Sequence, residues 1–427
     1  EQIDRVADIF ALGPDGDTLY IASRLNSDKF ELDAFSMKEG VIKHPIARHP
    51  KYDMGGDFDI THFFYREKTG QLIGIRYNEE KPKIVWLDRH FAACQAAIDK
   101  ALPDHVNEPI DYTDNGSTLL YFSTSDKDPG TYYIFRPESS VLIPVRTLQE
   151  HLKDKVLASM TPFTFQSRDG ATIHAYLTEP VEKSSTPPPL IVDIHGGPSA
   201  RDMWGFNPST QFFASRGYAV LQVNYRGSAG YGAAYQKAGL RARLDTVVID
   251  DVADGVKYLI EEKKADPTRI GVTGGSFGGY SVYMSLIKYP ELYRAGVAIA
   301  AVAHWATLEE HNFLGDNFNY AYMHNLTGDA HFAEYEKFID PYLRASEIKQ
   351  PLYIMHGERD TTVRVQQAEM MYKAVKKTNP HAKLMFFGLS SHQYWNLGDR
   401  ITLLNESGDF FAENLKPVAP AAAVAQK

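Results

Sequence analysis

The sequence predicts an α/β chain: a mostly parallel eight-stranded sheet with crossover helices, preceded by an all-β region. Two observations predict it. From about residue 160 to 416, short apolar runs alternate with helical periodicity, the pattern of parallel strands joined by helices. Before about residue 155 the runs are short and alternating and follow Asp-Gly, Thr-Gly and Asn-Gly turns. The last residues are rich in Ala and Pro. The expected division is therefore 1–155, 156–416 and a disordered tail over 417–427.

In the first region, turns at Asp15-Gly16-Asp17, Thr69-Gly70 and Asn115-Gly116-Ser117 introduce strands Thr18–Ala22, Gln71–Tyr77 and Thr118–Phe122. A second strand follows each, at Asp33–Met37, Lys83–Leu87 and Tyr132–Arg136. The turns recur about every 50 residues, near the period of a β-propeller blade. About three such units are visible, and a closed ring needs about four or more. The chain begins at Glu1 in strand-like sequence, so it reads as a fragment or mature form. An ordinary antiparallel sheet with coincidental turns is the alternative. His90–Leu102 breaks the pattern and is expected to be a helix between blades.

In the second region the expected strands are Phe163–Gln166, Thr172–Thr178, Leu190–His195, Ala219–Val223, Arg269–Thr273, Gly296–Ala300, Leu352–His356 and Lys383–Phe387. The first two form a hairpin at one edge. Helices are expected near Pro208–Ser215, Asp245–Glu262, Gly278–Tyr289, Val365–Lys377 and Asp399–Leu415.

Bulk composition narrows the function classes. The chain has 427 residues, 44% of them hydrophobic and 23% charged, which suits a globular protein of two or three domains. A net charge of −9 without a basic stripe gives no expectation of a nucleic-acid partner. Cys94 is the single cysteine, so neither an intrachain disulfide nor a thiolate zinc cluster can form. That suits a cytoplasmic or a periplasmic chain, and the compartment stays open. No run approaches the roughly 18 apolar residues of a membrane span, so no membrane partner is expected. No phosphate loop, His-Glu-x-x-His site or dinucleotide fingerprint occurs, so no cofactor or metal is expected.

The chemistry concentrates in the second region. The strand ending at Thr273 runs into Gly274-Gly275-Ser276-Phe277-Gly278-Gly279, a Gly-x-Ser-x-Gly nucleophile elbow between strand and helix. Ser276 would stand at a helix N-terminus, where the dipole favours developing negative charge. A serine hydroxyl needs a base, and the base needs an orienting carboxylate. In an α/β-hydrolase the chain order is Ser, acid, His. Asp360, with Glu358 as competitor, follows the strand ending at His356, and His392 follows the strand ending at Phe387. His304, His311 and His324 precede Asp360 and break that order. The oxyanion donors are expected to be the N–H of Phe277 and one from the loop His195-Gly196-Gly197-Pro198.

Together these residues resemble the prolyl oligopeptidase family of serine peptidases, in its acylaminoacyl-peptidase-like branch. The resemblance runs through His195–Pro198, Arg201-Asp202, Gln211–Val220, Asn224–Gly232, Gly274–Tyr280 and His356-Gly357 with Asp360. It implies a β-propeller before the hydrolase domain. It implies Ser276, Asp360 and His392 as the triad, with Gly197 and Phe277 as the oxyanion hole. His195, Arg226, Tyr231, Trp305 and Thr362 are the further candidates for substrate contact. Two departures stand out. Where the family usually has Asn or Arg two residues after the acid, this chain has Thr362, which shortens a clamp on a substrate carbonyl. Ser391 and Gln393 flank His392 where the family often has Gly. Glu79-Glu80 and Glu309-Glu310 are expected to be solvated charges.

The function expected is a serine peptidase cleaving short peptides or blocked N-terminal residues through an acyl-enzyme. An esterase or general acyl hydrolase, and a non-catalytic relative acting as a binding module, are the alternatives. The expected partner is a peptide or acyl substrate, with homo-oligomerisation possible.

Overall fold

The computed structural model describes residues 7–55, 62–182, 184–239, 244–307 and 337–416. Three antiparallel sheets come first. Strands β1 (Ala7–Leu12), β2 (Thr18–Ser23), β3 (Glu31–Ser36) and β4 (Val41–Ala47) make one. Strands β5 (His62–Tyr65), β6 (Leu72–Asn78) and β7 (Pro82–Trp86) make the next. Strands β8 (Val106–Tyr112), β9 (Leu119–Ser125), β10 (Asp128–Arg136) and β11 (Val141–Thr147) make the third. These are the blade-like units of the partial propeller read from the turns. Leu32, Met54, Phe63, Leu72 and Ile75 close one core cluster; Phe64, Ile73, Phe91, Leu119, Tyr121 and Phe135 close another. Strand β6 serves both, Ile73 in one cluster and Leu72 and Ile75 in the other.

Helix α1 (Arg89–Ala101) lies where the break in alternation put it. Asp88 caps it, accepting from the N–H groups of His90 and Phe91 at 2.8 and 3.2 Å. Phe91, Cys94 and Ile98 supply its buried stripe at helical spacing. Glu79 is half-buried and Glu80 exposed, and each accepts from a tyrosine. Tyr77 Oη donates to Glu79 Oε1 at 2.6 Å and Tyr52 Oη to Glu80 Oε1 at 3.0 Å, so both carboxylates are held. Glu309, Glu310, His311 and His324 lie outside the described residues.

The large sheet has eight strands: β12 (Met160–Gln166), β13 (Thr172–Thr178), β14 (Leu190–Ile194), β15 (Ala219–Asn224), β16 (Ile270–Gly275), β17 (Ala295–Ile299), β18 (Leu352–Gly357) and β19 (Ala382–Phe387). Their spatial order is β12-β13-β15-β14-β16-β17-β18-β19. From β15 to β19 every pairing is parallel, and β13 joins β15 antiparallel. The chain moves one way from β14 to β15 and then crosses to the other side of β14 to lay down β16. That reversal opens a crevice at the carboxyl ends of β14 and β16, where ligands bind in open α/β sheets.

The helices are α2 (Pro208–Ala214), α3 (Ala233–Ala238), α4 (Ile249–Glu261), α5 (Phe277–Lys288), α6 (Gln366–Lys376) and α7 (Leu397–Asn414). One face of the sheet buries Ile191, Val220, Val297, Met355 and Phe387 against Phe213, Phe410 and Phe411 of α2 and α7. Helix α5 packs on β16 and β17, so closely that a Cβ on Gly296 would stand 2.8 Å from Leu286 Cδ1.

The chain separates into two compact units. One holds residues 1–162 with 201–211 and 227–238; the other holds 163–200, 212–226 and 239–427. Two excursions from the second half therefore belong with the antiparallel sheets. Their hydrogen bonds explain it. Gly232 N–H donates to Asp53 Oδ2 at 3.1 Å, Ala234 N–H to Asp28 Oδ1 at 2.8 Å, and Arg201 Nη2 to the Glu79 carbonyl at 2.9 Å. Helix α3, unanticipated from the sequence, starts on one of these bonds.

Asp53 is the anchor of that arrangement. It is buried and also accepts from Arg24 Nη2 at 3.2 Å and Phe30 N–H at 2.8 Å. Replacing it with Ala leaves a buried guanidinium and two N–H groups without their acceptor. Asp53→Ala should lose about 3–5 kcal/mol, read as a lower urea midpoint for the first unit. A loss below about 1 kcal/mol would show that the pair carries no special weight.

Candidate active site

The site begins with a backbone constraint. Strand β16 ends at Gly275, and Ser276 follows with φ 59° and ψ −119° as the N-cap of α5. A positive φ is unusual for a residue with a Cβ and costs about 1–3 kcal/mol. It is held by Ser276 N–H donating to the Ile299 carbonyl at 2.9 Å and by Tyr280 N–H donating to the Ser276 carbonyl at 3.1 Å. The flanking glycines make the turn possible. A Cβ on Gly278 would sit 2.0 Å from the Ile194 carbonyl oxygen, and one on Gly274 would sit 2.7 Å from Gly278. Only glycine lets the helix start this close to β14.

The structure brings the three expected side chains together. His392 Nε2 is 3.0 Å from Ser276 Oγ, and His392 Nδ1 is 2.7 Å from Asp360 Oδ2. Since Oδ2 can only accept when ionised, Nδ1 carries the hydrogen and Nε2 is left as the acceptor facing the serine. Asp360 is buried, while its competitor Glu358 is exposed on the same loop. Oδ1 of Asp360 accepts from the N–H groups of Thr362 and Val363 at 2.9 and 2.8 Å.

Burial alone would raise the Asp360 pKa. Hydrogen bonds from His356, His392 and the Val363 N–H outweigh it and hold the carboxyl at about 2, below the ordinary 3.8. The sign follows: the stabilisation is fully present above pH 3.8 and is lost as pH falls through about 2. Near neutral pH the carboxylate is therefore ionised.

Two supports were not anticipated from sequence. Ser390 Oγ and Asn396 Nδ2 both donate to Asp399 Oδ2, at 2.6 and 2.7 Å, so the N-terminus of α7 staples the loop carrying His392. The N-cap pattern of Asn396 followed three residues later by Asp399 was the available signal. His356, at the end of β18, stands 3.4 Å from Asp360 Oδ2.

The loop after β14 lies beside Ser276. A Cβ on Gly196 would be 3.3 Å from Ser276 Cβ and 3.9 Å from Phe277 N. Gly197 is exposed with φ 119°. His195 fixes this loop: its ring stacks on Tyr225 with centroids 4.3 Å apart, and its Nδ1 is 2.8 Å from the Gly196 carbonyl oxygen.

The other substrate-contact candidates fare differently. Arg226 is corrected: its guanidinium makes a two-pronged ion pair with the fully buried Asp251 and a further bond to Asp169 at 2.6 Å, so it fastens α4 to the sheet region. Trp305 is also corrected. It is buried, its indole N–H donates to the Ile339 carbonyl at 3.2 Å, and its ring meets Tyr280 edge-on. Tyr231 belongs to the other unit, between Tyr52 and the Arg201 guanidinium. Thr362 is exposed, and its described bond is the backbone one to Asp360. His304 pairs with the buried Asp340 at 2.7 Å, apart from the triad.

Comparison with known proteins bears on the whole arrangement. The sequence profile of the prolyl oligopeptidase family matches residues 204–418. Dipeptidyl aminopeptidase BIII of Pseudoxanthomonas mexicana is 26% identical over 403 residues, covering 89% of this chain and 55% of that protein. The acylamino-acid-releasing enzyme of Homo sapiens is 27% identical over 230 residues, covering 52% and 31% respectively. The structure of a Mycobacterium tuberculosis puromycin-hydrolyzing peptidase superposes with a TM-score of 0.80 at 19% identity, over 97% of this chain and 62% of that one. That likeness shows a shared fold. The match spans 55% of the dipeptidyl aminopeptidase and 31% of the acylamino-acid-releasing enzyme, so the chain covers only part of the length of these relatives. No helix among the described residues is long and apolar enough to cross a membrane.

The reassignment of Arg226 can be tested directly. Arg226→Met should lower stability by about 3–5 kcal/mol, because Asp251 is left as a buried unpaired charge. Substrate KM should stay within about threefold of the parent, since no ground-state contact is removed. A stable variant with a large rise in KM would restore Arg226 to the substrate.

Proposed function

Since the chain belongs to the prolyl oligopeptidase family, whose profile covers half of it, we propose that it is a serine peptidase acting on short peptides or blocked N-termini. On this reading residues 1–155 form the propeller portion and 156–416 the catalytic portion. The observation that supports it is the continuous line of bonds from Asp360 through His392 to the strained Ser276.

The chemistry follows from that line. Ser276 Oγ attacks the scissile carbonyl carbon while His392 Nε2 takes the hydroxyl proton. The carbonyl π electrons move to oxygen, which the N–H groups of Phe277 and Gly197 stabilise. Asp360 steadies the imidazolium and is not itself protonated. Collapse breaks the C–N bond, and the imidazolium gives its proton to the departing amine. Water then repeats the sequence on the acyl-enzyme, returning a carboxylic acid and free Ser276. The dipeptidyl aminopeptidase and acylamino-acid-releasing relatives carry peptide activities in their names, which supports a peptide substrate here.

A second reading, an esterase or general acyl hydrolase, is favoured by Thr362. Its short exposed side chain offers no long donor to a peptide carbonyl two residues from Asp360. Esters need the same triad and no such clamp.

Comparing an N-acetyl-aminoacyl anilide, a free dipeptidyl anilide and a short acyl ester separates these readings. The anilides should be hydrolysed, and Ser276→Ala should lower kcat by about a thousandfold or more for every substrate. Rate should fall on the acid side of neutrality, where a histidine base becomes protonated, rather than staying flat across the range. Turnover of the ester alone would give the esterase reading, and activity in Ser276→Ala within about tenfold of the parent would remove Ser276 as nucleophile.

A further inference from the structure

Asp360 has a second histidine beside it. His356 is completely buried at the end of β18. Its Nε2 lies 2.7 Å from the Val363 carbonyl oxygen and 3.4 Å from Asp360 Oδ2, the same oxygen that accepts from His392. A carbonyl oxygen cannot donate, so Nε2 carries the hydrogen and the tautomer is fixed. Nδ1 is then a bare acceptor, and it is buried with no hydrogen-bond partner. A buried imidazole with one nitrogen unsatisfied is an expense that packing alone does not explain, since an apolar ring would fill the space without it.

The geometry shows what the other nitrogen gains. The Val363 N–H binds Asp360 Oδ1 while the Val363 carbonyl accepts from His356. The turn Asp360–Val363 is therefore clamped from both sides by one peptide residue. We propose that His356 is a positioning residue for the triad: its single N–H pins this turn and shares the charge on Asp360 Oδ2, so that the carboxylate meets His392 in one orientation. The inference rests on the triad reading above.

The electrostatic sign can be worked out from the contacts. Among the described residues, the titratable groups touching the Asp360 carboxyl are His356 from β18 and His392 from the loop after β19; the backbone N–H groups of Thr362 and Val363 complete its partners. Glu358 and Arg359 on the same loop are exposed, and Asp399 of α7 meets the His392 loop through Ser390 and Asn396 rather than through the ring. Removing the His356 N–H leaves Oδ2 with more uncompensated charge. That charge favours protonated His392, so the acid limb of the rate profile moves to higher pH.

The test compares His356→Gln with His356→Asn in the full 427-residue chain. The Gln amide nitrogen reaches the position of Nε2, and the Asn amide reaches that of Nδ1. The readout is the second-order rate of inactivation by a fluorophosphonate between about pH 5 and 9, with a thermal melt as the folding control. His356→Asn should lose about tenfold or more on the plateau and shift the acid limb upward by about half a unit. His356→Gln should keep the parental limb and a rate within about threefold. If both variants lose rate equally with the limb unmoved, or both keep the parental profile, the inference is wrong. Should His356→Asn fail to fold, His356→Gln decides: a parental limb supports the inference and a shifted one overturns it. A parent chain that resists the reagent would sink the triad reading and the inference with it. A parent that reacts while both variants match it would sink the inference alone.

Discussion

The close approach of α5 to β14 is the constraint on which the site depends. Ser276 can adopt its positive φ only because Gly274 and Gly278 leave no Cβ between the helix start and the Ile194 carbonyl. A side chain at Gly278 would push the helix away from the sheet. The serine would then leave the line to His392, and the Gly196–Gly197 loop would lose its place beside Phe277. The strained residue is held by two ordinary backbone hydrogen bonds, to Ile299 and from Tyr280, so the strain is distributed into a sheet and a helix that are otherwise regular.

Asp360 plays the corresponding part at the other end of the line. Its carboxylate accepts from two backbone N–H groups and one imidazole, with a second imidazole alongside. Such a set keeps a buried carboxyl ionised despite its burial. It also fixes which oxygen faces His392. Asp399 does similar work for the loop after β19, through Ser390 and Asn396. Ser276, Asp360 and His392 therefore come from three different strand ends, each tied down by hydrogen bonds of its own. This is the arrangement expected where sites collect at strand carboxyl ends.

Much of this was legible in the sequence. Each expected strand of the large sheet has its counterpart within a few residues, because alternation and apolar runs report burial directly. The elbow was legible because its glycines are required by contacts that no other residue could satisfy. The choice between Asp360 and Glu358 was not settled by spacing, since both follow the same strand, and burial separates them. Arg226 sits in a family-like motif, but its partner Asp251 lies 25 residues away on α4, and nothing local announces that pair. The same holds for Trp305, whose indole bonds across to Ile339. The excursions 201–211 and 227–238 were hidden for a different reason: their attachments to the antiparallel sheets pair groups far apart in sequence, the Arg201 guanidinium with the Glu79 carbonyl and backbone N–H groups of 227–238 with Asp53 and Asp28. His356 was legible as the end of a strand and as part of the His356-Gly357 motif, but not as a partner of Asp360, because that role lies in a tautomer set by the Val363 carbonyl.

The central claim is that Ser276 is activated by the line through His392 to Asp360. Reaction of the parent chain and of Asp360→Asn with a fluorophosphonate, with the modified peptide located by mass spectrometry, addresses it most directly. The account predicts a single adduct on Ser276 in the parent and a rate lower by about a thousandfold or more in Asp360→Asn, where the imidazole loses its fixed tautomer. An adduct on another residue, or equal rates in the two chains, would contradict it.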